Sequence, residues 1–351
     1  MNRKITIGLC ACMFCGIVMA QKVSNVTAEQ VGKNIVVSYD LNITSNVSLC
    51  YSSDGGKTFS QPIRQVTGDV GRNVKAGHKT ITWNVLNELE KLVCDNLVFK
   101  VIANGENMVF NLKGLRFEMV FVEGGTFTRS DAYHQGLVLD HEHSVTLSDY
   151  YIGKYEVTQS LWETVMGRTV SQIASGANVE THGVGANYPM YYVSWDDCKT
   201  FISKLNSLLS SQLGGKRFAL PTEAQWEYAA RGGKKSQDNY YAGSKDLDSV
   251  AWYIDNSGNS THAVGMKSPN ELGLYDMSGN VYEWCQDWYG RYDTYSGTSQ
   301  TNPIGAPTGT KRVCRGGSFD SGKWYCEWLC RGANEPSYGW GGVGLRLVLI
   351  P

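Results

Sequence analysis

The sequence predicts an N-terminal all-β sandwich followed by a larger, irregular α+β domain. Three observations carry this. Residues 24–105 are short β-branched and aromatic runs separated by turn signals, with no helical period. Residues 158–232 hold three helices with clear start and stop signals. From Gly233 to Pro351 helical periodicity nearly disappears while Gly, Asn, Ser and aromatics accumulate. A tract that long does not stay structureless inside a compact domain, so its backbone must be held by buried Trp, hydrogen bonds, disulfides or metal.

Composition supports two folded domains. A length of 351 residues is too great for one small domain, and 42% hydrophobic with 19% charged residues argues for a real core and against disorder. The chain has 39 Gly, 10 Trp and 20 Tyr, a mixture suited to loop-rich folds stapled by aromatic packing. A net charge of −1 without any basic block excludes nucleic acid as an expected partner.

The elements follow in order. Residues 1–20 read as a signal peptide: Asn2-Arg3-Lys4 is basic, Ile5 to Met19 is apolar but short for a membrane span, and Val18-Met19-Ala20 precedes a mature start at Gln21. A lipoprotein reading rests on Cys10, Cys12 and Cys15, none of which follows a convincing lipobox. The mature chain has no other long apolar run, so no transmembrane segment is expected, and the protein is read as exported to the periplasm, cell surface or extracellular space. Residues 21–110 are assigned to the sandwich, with strands at 35–41, 47–51, 79–83 and 97–101 and a turn at Ser53-Asp54-Gly55-Gly56. This spacing looks like immunoglobulin or fibronectin-type modules, in architecture only. The linker falls near Asn104-Gly105-Glu106-Asn107, and the second domain takes 115–351. There Met119 to Val122 is a strand ending at Gly124-Gly125. Thr158 caps a helix to about Met166, closed by Gly167. Ser194 with Asp197, and Thr222 with Gln225, form capping boxes for helices reaching about Leu208 and ending at Gly232-Gly233.

The second domain carries ordered motifs: Val122-Glu123-Gly124-Gly125-Thr126-Phe127, Tyr155-Glu156-Val157-Thr158, Pro189 through Trp195, Leu220 through Gly232, Gly273 through Trp284, Arg315-Gly316-Gly317-Ser318 and Gly344-Leu345-Arg346. Together they resemble the formylglycine-generating enzyme (sulfatase-modifying factor) family. The resemblance spans Phe117 to Leu349 and implies an irregular α+β fold related to C-type lectins. It also implies a copper-dependent oxidation of a sulfatase cysteine by two close cysteines. Counting from Gly316, those positions hold Ser321 and Cys326. A hydroxyl is too hard to replace a thiolate on Cu(I), so copper is not expected here unless Cys314 or Cys330 supplies a second thiolate. The resemblance further implies calcium bound by Asp276, Gly279, Val281 and Glu283, whose hard oxygens suit that ion. The bland alternative is that Asp276 and Glu283 are hydrogen-bonded turn acids. A second family calcium site would fall near Trp252-Tyr253, where Trp replaces the expected Asn, and it is not carried over. Secreted relatives suggest a Cys285–Cys326 disulfide, which would close a loop of about 40 residues. A Cys326–Cys330 bridge or zinc held by several cysteines stays open as well. Seven cysteines remain after the signal, Cys94 among them, so at least one should be free.

The stretch 319–342 is rich in Tyr, Trp, Ser and Gly, the chemistry of adaptable binding surfaces. Trp324, Tyr325, Trp328, Tyr338 and Trp340 are candidate ligand-surface residues, the competing reading being that the tryptophans are core. His141-Glu142-His143 is read as a solvated polar loop without a third ligand. No phosphate-binding Gly-Lys-Ser loop, Gly-x-Ser-x-Gly elbow, His-Glu-x-x-His helix or His-x-x-x-His-x-Glu motif occurs. The expected function is a secreted, non-catalytic binding or surface protein with an unidentified protein or glycan ligand. Two alternatives are a formylglycine-generating oxidoreductase and a structural subunit of an envelope machine.

Overall fold

The computed structural model describes residues 23–42, 45–60, 63–87, 89, 96–105, 107–131, 140–237, 239–290 and 298–350. The expected signal segment, Cys94 and the side chain of His141 lie outside them. The chain forms two compact units that part between Glu106 and Asn107.

The first unit is all β. Its strands are β1 (Val23–Val31), β2 (Asn34–Leu41), β3 (Ser45–Ser52), β4 (Val66–Gly68), β5 (Gly71–Val74), β6 (Gly77–Asn84) and β7 (Val98–Gly105). They build a four-stranded sheet in the order β1-β2-β6-β4 and a three-stranded sheet in the order β5-β3-β7, all antiparallel. The period-2 alternation of β2 buries Ile35, Val37, Tyr39 and Leu41. These side chains share one cluster with Val47 and Leu49 of β3 and Ile81 and Trp83 of β6. The turn read at 53–56 is organised by Asp54, whose carboxylate accepts from the backbone N–H groups of Lys57 and Thr58.

The second unit holds β8 (Met108–Leu112), β9 (Leu115–Val122), β10 (Gly125–Asp131), β11 (Asp140–Leu147), β12 (Tyr150–Gly153), β13 (Arg217–Ala219), β14 (Tyr282–Trp288), β15 (Gln300–Thr301), β16 (Arg312–Arg315), β17 (Arg331–Asn334), β18 (Val343–Gly344) and β19 (Val348–Ile350). Its helices are α1 (Gln159–Met166), α2 (Val170–Ala177), α3 (Trp195–Leu208), α4 (Glu223–Ala230) and α5 (Leu247–Val250). Residues 108–110, assigned by sequence to the first domain, belong here because β8 pairs with β9. The sheet orders are β13-β19-β12-β9-β8, β17-β16-β14-β18 and β10-β11-β15. The chain end at β19 therefore lies between strands from the start and middle of the unit, and strand pairing closes the fold.

Helix signals acted where sequence placed them. Thr158 caps α1 and Gly167 ends it at φ 72°. Ser194 with Asp197, and Thr222 with Gln225, form reciprocal capping boxes at α3 and α4. Helix α2 was not anticipated, although Thr169 with Gln172 makes the same box. His143 corrects the solvated-loop reading: it lies within β11 and is buried. Its neighbours Val145 and Leu147 point to the same face of the strand and draw it into the core.

Thr222→Ala removes the acceptor of the Gln225 N–H, and Ser194→Ala that of the Asp197 N–H. Each is expected to lower unfolding free energy by about 1 kcal/mol in urea titrations.

Candidate functional site

At the centre of the second unit Glu283 of β14 meets Arg346, and both are buried. Glu283 Oε1 accepts from Arg346 Nη2 at 2.6 Å and Nε at 2.9 Å. Glu283 Oε2 accepts from Arg346 Nε at 2.9 Å and from Trp226 Nε1 at 2.6 Å. The remaining Arg346 donors reach the carbonyls of Gly153 and Tyr275.

The residues assigned to calcium lie beside this pair. Of the carboxylates assigned to the ion, Glu283 has both oxygens engaged by Arg346 and Trp226. Asp276 Oδ2 accepts from Gly265 N, and only its buried Oδ1 lacks a partner. Ca²⁺ takes six to eight oxygens, roughly, and this donor set does not fit it while Glu283 is bound to Arg346. Burial and mutual repulsion raise the acids around this pair. Burial, then the Gly265 bond and the charges of Arg346 and Glu283, leave Asp276 at about 6. Burial and the charges of Asp276 and Glu283 push Glu156 well above the carboxylate range.

The tract 315–326 wraps over this centre. Gly316 and Gly317 adopt φ of 98° and 75°. A Cβ on Gly317 would lie 2.8 Å from Cys326 Sγ and 2.9 Å from Tyr325 O, so glycine is required there. Ser321 Oγ lies 2.8 Å from Ser318 Oγ and accepts from Ser318 N at 3.0 Å. It also hydrogen-bonds the Tyr282 phenol. Ser318 Oγ donates to Asp320 Oδ1. Cys326 is fully buried beside Leu247, Val250 and Tyr253. Burial, with the nearby Cys330 second, pushes its thiol up to about 12. A serine hydroxyl does not supply the second soft thiolate that a Cu(I) pair needs. Burial likewise raises the thiols of Cys314 and of half-buried Cys330, the latter a near neighbour of Cys326.

The expected Cys285–Cys326 bridge is not formed. Cys50, Cys198, Cys285, Cys314, Cys326 and Cys330 are all free thiols. Cys285 packs in the cluster of Trp226 and Val313, whereas Cys326 packs in that of Leu247 and Tyr253.

The five candidate surface aromatics divide. Tyr325 and Tyr338 are exposed by 53% and 54%. Tyr338 stacks on half-buried Trp340, whose ring meets Trp284 edge-on at 5.6 Å. Trp324 is half-buried. Trp328 is structural: its Nε1 donates to Asn239 O, and Arg231 covers its ring at 4.4 Å. Tyr192 and His182 flank the rim, their rings 6.1 Å apart. Sequence reading missed these two, which come from a distant loop.

A second charged centre was also missed. Glu223 and Glu227 project from α4 into the arginines of three strands. Arg331 holds Glu223 through Nε at 2.7 Å and Nη2 at 2.9 Å. Arg315 reaches Glu227 at 2.7 Å and Glu223 at 3.2 Å, and Arg129 reaches them at 3.1 and 3.3 Å. Burial alone would raise Glu223, but Arg331, Arg129 and Arg315 hold it far below the ordinary range. Asp287 accepts from Glu223 N at the start of α4. The signal lay in α4 itself: a helix apolar nearly all round with Glu at i and i+4 must bring cations with it.

Residues 111–350 match the family described as the sulfatase-modifying factor enzyme 1-like domain (FGE-sulfatase). The chain belongs to that family. Among relatives of this family member, it is 35% identical over 239 residues to "Chaperone protein LppX" of Paenibacillus barcinonensis, covering 58% of this chain and 79% of that one. It is 29% identical to the formylglycine-generating enzyme of Streptomyces coelicolor, covering 65% and 87%. It is 32% identical to the serine/threonine-protein kinase Pkn1 of Chlamydia trachomatis, spanning 71% of this chain but 41% of the kinase. Among solved structures, Treponema denticola variable protein 1 superimposes with TM-score 0.61 at 30% identity, covering 70% of this chain and 99% of that one. PvdO from Pseudomonas aeruginosa shares the fold at TM-score 0.56 and 22% identity, covering 71% and 100%.

Arg346→Ala leaves Glu283 buried with most of its donors gone and is expected to lose about 3–5 kcal/mol in guanidinium unfolding. Burial first, and the charge of Glu223 second, push the Asp287 carboxyl up to about 7 from 3.8. The folded chain therefore keeps a proton the unfolded chain has lost, and this group lowers stability as pH rises from about 4 to about 7. Asp287→Asn retains the acceptor for Glu223 N and removes that slope. Its thermal midpoint, relative to wild type, is expected to rise between pH 5 and pH 8 in scanning calorimetry.

Proposed function

We propose that this family member is an exported, non-catalytic binding protein, with an immunoglobulin-like sandwich preceding a ligand-presenting domain. The observation that carries the reading is the state of the family's copper position. Ser321 is tied to Ser318 and Tyr282, and Cys326 is a buried thiol whose pKa burial raises to about 12. The rim of Tyr325, Tyr338 and Trp340 supports binding: exposed aromatics backed by packed rings supply large contact area at low entropic loss. Likeness to a protein titled a variable protein is consistent with a domain that presents side chains.

Copper(I) titration of the full chain under reducing conditions, followed by incubation with a Cys-x-Pro-x-Arg peptide and oxygen, tests the absence of chemistry. No stoichiometric copper and no aldehyde are expected. Stoichiometric binding with aldehyde formation overturns the reading in favour of the oxidase named among its relatives. For the rim, Tyr325→Ala with Tyr338→Ala is expected to shift stability by less than about 1 kcal/mol, since exposed side chains contribute little to folding. The same pair should abolish capture of protein or glycan ligands from an envelope fraction. Retained capture removes the rim from the binding surface.

A further inference from the structure

A second, separate cavity opens on the β8–β9 side of this domain. It encloses about 510 Å³, within the range of roughly 300–1,000 Å³ usual for small-molecule sites. Its walls include the buried side chains of Met119, Val157, Leu161 and Leu347. Val109 and Met266 at its mouth are 52% and 67% exposed. Apolar side chains are thus open to water around a pocket whose interior is also largely apolar, an arrangement that favours an apolar occupant.

The polar groups of the pocket decide the rest of the ligand. Glu156 is engaged through both oxygens, by Asn280 Nδ2 at 2.8 Å and Val281 N at 3.1 Å. Thr158 and Ser160 hydrogen-bond each other at 3.1 Å. Lys154 is paired with Glu118 at 3.0 Å and lies over the Tyr155 ring. Arg116 differs. It lines the same cavity, is exposed, and makes no side-chain hydrogen bond or ion pair among the described residues. With Lys154 balanced by Glu118 and Glu156 held by internal donors, Arg116 is an unopposed guanidinium beside an apolar hollow.

We propose that this cavity binds a small amphipathic molecule with an acidic head, its apolar body against Met119, Leu161 and Leu347 and its head on Arg116. An anion at Arg116 gains a charge-paired, bidentate contact that an ammonium head cannot make and that a single neutral alcohol oxygen does not reproduce. Burying the apolar body supplies affinity at roughly 25 cal/mol per Å² of surface removed from water, less the loss of free motion.

Isothermal titration of the full chain with octanoate, octylammonium and octanol, each below its micellar concentration, tests this. Octanoate is expected to bind to a saturable site, and octylammonium about tenfold more weakly or not at all. Arg116→Gln should weaken octanoate about tenfold while leaving octanol unchanged. Val109→Trp, an exposed mouth residue on a strand where an aromatic is tolerated, should weaken octanoate and octanol alike. Circular dichroism confirms that both variants fold. The proposal is overturned if octanoate shows no saturable binding or if Arg116→Gln binds octanoate like wild type. It is equally overturned if the chain dimerises through this face, read as a concentration-dependent sedimentation shift that Val109→Trp abolishes.

Discussion

The buried ion pair between Glu283 and Arg346 is the interaction on which the second unit depends. Glu283 stands on β14, between β16 and β18, and Arg346 lies just before the closing strand β19. Through them the four-stranded sheet, the five-stranded sheet, helix α4 by way of Trp226, and the loop at Tyr275 are tied at one point. Such a pair is specific before it is strong: two charges are removed from water, and only a complete set of partners offsets that loss. Both oxygens of Glu283 have such partners.

The same rule operates at the Glu223–Glu227 centre. An apolar helix was brought inside with two carboxylates, and Arg129, Arg315 and Arg331 arrive from three different strands to meet them. Arg315 also donates to the carbonyls of Trp328 and Cys330, which steers the chain leading into β17. The two networks fix the backbone on either side of the tract 316–330. The path of that tract is held by the positive φ of Gly316 and Gly317 and by the arginine contacts.

Position 321 is closed by its own hydrogen bonds. Serine in place of a thiolate removes the soft ligand, and its hydroxyl joins Ser318, Asp320 and Tyr282 in a closed set of hydrogen bonds. Cys326 then sits as an ordinary buried thiol. What remains accessible nearby is aromatic: Tyr325, Tyr338 and the partly covered Trp340.

Sequence alone determined the parts governed by local physics. Period-2 alternation placed β2, β3 and β6, capping boxes placed α3 and α4, and the Gly-Gly-Ser and Gly-Leu-Arg markers identified the family. Tertiary structure decided everything that depends on partners far along the chain. Asp276 and Glu283 carry the residue types of a calcium loop, yet Arg346, 63 positions beyond Glu283, takes that carboxylate. The family resemblance suggests a bridge between Cys285 and Cys326, yet they pack into separate clusters. Tyr192 and His182 approach the aromatic rim from residues no local pattern connects to it. Charge pairing and burial are set by three-dimensional neighbours, and in a fold with long loops and few helices those neighbours are rarely adjacent in sequence.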